Sequence, residues 1–92
     1  MTSSASEAAT ALKQQGNKAF AQHDWPTAID FYTQAIDKYD KDPSFFCNRA
    51  QAHIKLEAYG YAIADATKAL ELDSNNIKVP FFQFASKCFT ME

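Results

Sequence analysis

The sequence predicts an all-α fold of antiparallel helix pairs, and three observations carry that prediction. Apolar residues recur at helical spacing: Trp25, Ala28, Ile29, Tyr32, Ala35, Ile36 and Tyr39 follow the i, i+3, i+4, i+7 rule, and Tyr59, Ala62, Ile63, Ala66, Ala69 and Leu70 follow it again. The second set is the first displaced by 34 positions at every step, from 25 to 59 through 36 to 70, so the chain holds an internal repeat. Two glycines and three prolines in 92 residues leave few places for the tight turns of a many-stranded fold.

The same shift carries Leu12, Gly16, Ala19 and Phe20 onto Phe46, Ala50, His53 and Ile54. Each repeat therefore has an earlier helix, A, and a later helix, B. Start signals place them. Ser4 and Glu7 have the spacing of a capping box ahead of a helix near 5–22. Asp24 suits an N-cap, with Pro26 in the first turn of a helix near 24–39. Asp42 caps a helix near 43–56 with Pro43 at its first position, where proline forfeits no hydrogen bond. Further helices are expected near 59–72 and 76–90. Gly16 and Ala50 fall where two helices need close approach. The expected organisation is a lead-in at 1–6, a first repeat at 7–40, a second at 41–74, and a partial third repeat or capping helix at 75–92.

Composition narrows the function classes. A chain of 92 residues, 47% hydrophobic and 22% charged, fits one small globular domain and no multidomain enzyme. Nine Lys and Arg against eleven Asp and Glu give a net charge of −2, which argues against a bulk-charge nucleic-acid binder. Cys47 and Cys88 make neither a CxxC pair nor a disulfide framework, so the simpler compartment is reduced and intracellular: the cytoplasm, with the nucleus as a second location. No apolar run approaches the ~20 residues of a membrane span, and no membrane role is expected. Glycine-rich phosphate loops, nucleophile elbows and HExxH are absent, so no catalytic residue, metal or cofactor is expected. His53 and Cys47 read as packing residues, since a metal pair would want i+3 or i+4 spacing. His23, at the first A to B turn, reads as solvated. The aromatic residues Trp25, Phe31, Tyr32, Tyr39 and Tyr59 read mostly as the core stripe of the B helices rather than a stacking platform among basic residues.

Charges sort by helix. The A segments and the tail carry Lys13, Lys18, Arg49, Lys55, Lys78 and Lys87 against Glu7 alone, while the B segments carry Asp24, Asp30, Asp37, Asp65 and Glu71 against Lys38 and Lys68. An acidic chain thus presents a basic inner surface, which attracts an acidic peptide. Lys13 and Asn17 are i and i+4 on the first A helix, and Asn48 and Lys55 are i and i+7 on the second. Ammonium and amide donors together suit a terminal carboxylate.

A 34-residue helix-turn-helix period resembles the tetratricopeptide repeat, on Gly16, Ala28, Tyr32 and Ala35 in the first repeat and Ala50, Ala62 and Ala69 in the second, over about residues 8–78. The resemblance implies a right-handed superhelical solenoid of about two and a half repeats, its third repeat truncated, with A helices on the concave side. In the chaperone-adaptor class of that family a carboxylate clamp grips heat-shock chaperones that end in Glu-Glu-Val-Asp. Its positions fall on Lys13, Asn17, Asn48 and Lys78, while the fifth falls on Phe82, which cannot serve. The segment EAYGYAIADATKALELD further resembles the N-terminal domain of the type 5 serine/threonine protein phosphatases. That resemblance implies docking on chaperones of the 90 and 70 families and, in a longer form, cover for a phosphatase catalytic domain, with Lys55 and Glu57 facing it. Two other readings stay open: a chain of phosphatase parentage without activity, and a scaffold whose groove takes another acidic partner.

From Val79 the sequence departs from the pattern as VPFFQFASKCFTME, and Phe84 stands where a small residue is due. Phe81, Phe82, Phe84 and Phe89 cannot all face one side of a helix, and two expectations stand: the segment comes from an alternative transcript or an inaccurately joined reading frame, or its rings cap the solenoid or mediate self-association.

Overall fold

The computed structural model describes residues 2–72, and within them the 34-residue displacement becomes two stacked helix hairpins. The helices are α1 (Thr2–Ala21), α2 (Trp25–Lys38), α3 (Pro43–Lys55) and α4 (Tyr59–Leu72). No strand occurs among the described residues. Helix α1 packs on α2 and α3 on α4; α2 against α3 joins the pairs, and α1 also touches α3. The helix expected near 76–90, the site residue Lys78, and Phe82 with the other phenylalanines of the C-terminal segment lie outside the described residues.

Both hairpin turns use one backbone device. Asp24 N–H donates to Ala19 C=O at 2.9 Å and His23 N–H to Phe20 C=O at 2.9 Å, the paired bonds of a Schellman cap. Thirty-four residues later Ala58 N–H donates to His53 C=O at 2.8 Å and Glu57 N–H to Ile54 C=O at 2.9 Å. The left-handed residue of each cap is His23 (φ 63°) or Glu57 (φ 61°), not the glycine such a position favours. Asp24 then caps α2 by accepting from Thr27 N–H at 3.4 Å, with Pro26 in the first turn. Asp42 caps α3 by accepting from Ser44 N–H at 2.9 Å and its hydroxyl at 2.8 Å, and Pro43 opens the helix. The Ser4–Glu7 capping box is corrected: α1 already begins at Thr2, because Thr2 to Ser4 contain no Gly or Pro to stop it.

The core is made of small residues. Ala9, Ala28, Ala35, Ala50, Ala52, Ala62 and Ala69 are fully buried, and Tyr32 and Phe45 are the largest fully buried side chains. Small side chains let helix axes approach closely, and Gly16 marks one such close approach. A Cβ there would lie 2.5 Å from Tyr32 Cε1. Tyr32 belongs to a cluster with Ala19, Ala28 and Ala52, which ties the first hairpin to α3.

The apolar stripe expected on α4 is only half realised. Ala62, Ala66 and Ala69 are buried, but Tyr59 and Ile63 are 55% and 57% exposed. Their equivalents in the first repeat, Trp25 and Ile29, are partly buried: Lys55 of α3 stands by the Trp25 ring, and Ile29 packs against the cluster that includes Tyr32 and Ala52. No described helix follows α4 to play that part. Cys47 is 5% exposed and packs with Phe46 and Ala69.

Candidate binding groove

The A helices α1 and α3 form the walls of a groove of about 470 Å³. Its polar part comes from Asn17 of α1 with Asn48, Gln51 and Lys55 of α3; its apolar part comes from Phe20, Trp25 and Tyr32, with His23 at the turn. Helical spacing places these groups: Asn48, Gln51 and Lys55 are separated by three and four residues, and so share a face of α3.

Two asparagines meet across the groove. Asn48 Nδ2 donates to Asn17 Oδ1 at 3.3 Å, and the Tyr32 hydroxyl donates to the same oxygen at 2.6 Å. With its carbonyl doubly engaged, Asn17 keeps its NH2 donors for a ligand, and the tyrosine holds them in place. Tyr32 is 1% exposed, and burial raises its pKa from 10.0 to about 12, so the phenol stays protonated as the donor.

Lys13 lies one turn before Asn17, half-buried, with its Nζ 5.8 Å from the centre of the Phe45 ring on α3. Lys55 is exposed, with its Nζ 5.7 Å from the centre of the Trp25 ring. Neither lysine makes an ion pair among the described residues. Of the predicted site residues, the structure brings Asn17, Asn48 and Lys55 into one groove and sets Lys13 beside it. The groove thus offers amide donors from Asn17 and Asn48 and an ammonium from Lys55, with no carboxylate among its described lining residues.

Arg49 corrects the charge sorting. Its guanidinium binds Asp65 in bidentate fashion, Nε to Oδ2 at 2.9 Å and Nη2 to Oδ1 at 2.8 Å, and Nη1 donates to Thr33 Oγ1 at 3.1 Å. Asp65, counted from sequence among the acidic residues of the B segments, is 6% exposed. The pair joins α3 to α4 and contributes no free charge to the groove. His53 packs as expected, stacked on Tyr61 at 5.3 Å with its Nε2 3.8 Å from Asp65 Oδ2. Burial lowers the His53 pKa below 6.5, Asp65 opposes that shift, and Arg49 adds to it.

The aromatic wall was missed from sequence. His23 is not merely solvated: its ring stacks on Trp25 at 5.1 Å, and Phe20 meets Trp25 edge-on at 4.9 Å. A core stripe and a groove wall have the same periodicity, so spacing alone could not separate them. One signal was available for Tyr32, because a helical glycine such as Gly16 implies a bulky neighbour.

No family model matches the chain. Over 73 residues it is 84% identical to serine/threonine-protein phosphatase T of Aspergillus oryzae, covering 79% of this chain and 15% of that protein. Over 75 residues it is 43% identical to human serine/threonine-protein phosphatase 5, covering 82% of this chain and 15% of that protein. The chain thus spans about 15% of the length of these curated relatives. Among solved structures, the Arabidopsis OM64 TPR domain superposes with a TM-score of 0.78 at 32% identity, over 91% of this chain and 68% of that one. The first TPR of Spaghetti (RPAP3), solved bound to the HSP90 peptide SRMEEVD, also gives 0.78, at 31% identity over 90% and 66%.

Proposed function

This chain belongs to the tetratricopeptide-repeat family, as a domain close to the N-terminal region of phosphatase 5, and on that premise we propose that its groove binds the acidic C-terminal peptide of heat-shock chaperones. The observation that carries the proposal is the Asn17–Asn48 bridge, with its unpaired amide donors flanked by Lys13 and Lys55. Lys13, Asn17 and Asn48 hold the terminal carboxylate, and Lys78 pairs with a second acidic group. The partners are chaperones of the 90 family and, through the same terminal chemistry, the 70 family. The solved neighbour with an HSP90 peptide in place supports this reading.

The module is a binding unit rather than a catalytic one. In a longer form it covers a phosphatase catalytic domain through the surface around Lys55 and Glu57, and peptide binding releases that cover. It works in the cytoplasm and the nucleus. Self-association through the phenylalanines beyond residue 80 is a separate proposal, which light scattering over a concentration series checks.

Calorimetric titration with a Glu-Glu-Val-Asp peptide tests the main reading. Lys13→Ala with Asn48→Ala removes one charged and one neutral donor, and affinity should fall by tenfold or more, since about 1.4 kcal/mol is a factor of ten. Unchanged binding in that double variant overturns the assignment.

A further inference from the structure

We infer that His23 and Lys55, held on the ring of Trp25, form a second, anion-binding subsite that takes an acidic side chain about three positions before the end of the bound peptide. The inference rests on the peptide-binding reading above and adds to it a rule for which peptides bind.

The ring of Trp25 is already occupied. Phe20 meets it edge-on, at an interplanar angle of 67°, His23 stacks on it at 23°, and Lys55 Nζ stands 5.7 Å from its centre. A ring with three partners is a platform rather than a landing surface for an aromatic or a base. What this end of the groove offers a ligand is the pair of polar tips, an imidazole N–H and an ammonium. Both side chains are exposed, and neither contacts a carboxylate among the described residues. The adjacent Asp24 carboxylate is turned to Thr27 N–H as the cap of α2.

The two turns are alike in backbone and unlike in charge. His23 and Glu57 occupy the same left-handed position one repeat apart, yet only His23 lines the groove. A carboxylate at that place would repel an acidic peptide, whereas an imidazole can donate to one.

Geometry fixes the spacing. From Asn48 to Lys55 is seven residues of helix, about 10 Å at 1.5 Å per residue. An extended peptide rises about 3.3 Å per residue, so a terminus held at Asn48 places the residue about three positions upstream beside Lys55. In the peptide SRMEEVD of the solved neighbour, that residue is a glutamate.

The test titrates SRMEEVD and SRMQEVD into the chain, its His23→Asn variant, its Lys55→Gln variant and the double variant. Asparagine tolerates the left-handed backbone, and both positions are exposed, so matching helical circular dichroism is expected throughout. The unaltered chain should prefer SRMEEVD by about tenfold, the worth of one charge-assisted contact. Each single variant should lower that preference, and the double variant should bring it within about twofold. Equal binding of both peptides by the unaltered chain, or a full preference in the double variant, overturns the subsite while leaving the peptide-binding reading intact. Binding of neither peptide overturns both.

Discussion

The Tyr32 hydroxyl donates to Asn17 Oδ1 at 2.6 Å, so a residue 1% exposed in the core directly orients an exposed donor in the groove. The same ring fills the space left by Gly16 and packs with Ala19, Ala28 and Ala52. Packing of three helices is thereby transmitted to one amide.

Tyr32→Phe should therefore act twice. Losing one hydrogen bond lowers stability by about 0.5–1.5 kcal/mol, and an unpinned Asn17 weakens peptide binding several-fold. The pH dependence has a definite sign. Folding raises the phenol from 10.0 to about 12, so the unfolded chain gives up this proton first. Stability from Tyr32 is complete below pH 10 and lost as pH rises toward 12. Melting temperatures of the parent and Tyr32→Phe across that range should converge as pH rises.

Gly16→Ala sets helix propensity against space. Alanine favours a helix interior by about 1 kcal/mol over glycine, but its Cβ would lie 2.5 Å from a buried ring. Overpacking of about 1–3 kcal/mol wins, and urea unfolding should show a net loss. Gly60→Ala is the control: apart from the neighbouring helix backbone nothing lies within 4 Å of the added Cβ, so that variant should gain stability.

Such contrasts show how much could be read from the residues. The period of 34 located all four described helices and both aspartate caps, because caps and apolar spacing are local properties. Reading charges and residue types also singled out Asn17 and Asn48, which the structure joins by a hydrogen bond. It misjudged Arg49 and Asp65, which lie 16 positions apart on different helices; only packing reveals that they neutralise each other. It placed Tyr59 and Ile63 in the core because equivalent positions in a repeat share a pattern, whereas burial depends on what lies against them.

The Arg49–Asp65 pair predicts a stability effect without a binding effect. Asp65→Ala strands a guanidinium whose side chain is 21% exposed, and the loss should be about 2–4 kcal/mol by chemical denaturation. Lysines 13 and 55 are untouched, so the folded fraction should bind peptide normally. His53 adds an acid limb. Its pKa is lowered in the fold, chiefly by burial, so the unfolded chain takes up the proton first as pH falls below 6.5. The His53 contribution is present above that pH and lost below it. His53→Gln should flatten the fall in melting temperature between neutral pH and pH 5.

The two left-handed turn residues separate stability from binding. A side chain with a Cβ costs about 1–2 kcal/mol in that backbone region, and glycine relieves most of it. Glu57→Gly should therefore raise the unfolding free energy by about 0.5–1 kcal/mol and leave peptide affinity as it was, since Glu57 does not line the groove. His23→Gly should give a similar gain, reduced by the loss of its stacking on Trp25, and should weaken binding of a peptide with glutamate at the third upstream position. One backbone relief with two binding outcomes would place the function in the imidazole rather than in the turn. If both variants bound the peptide equally well, the histidine would be no more than a strained cap.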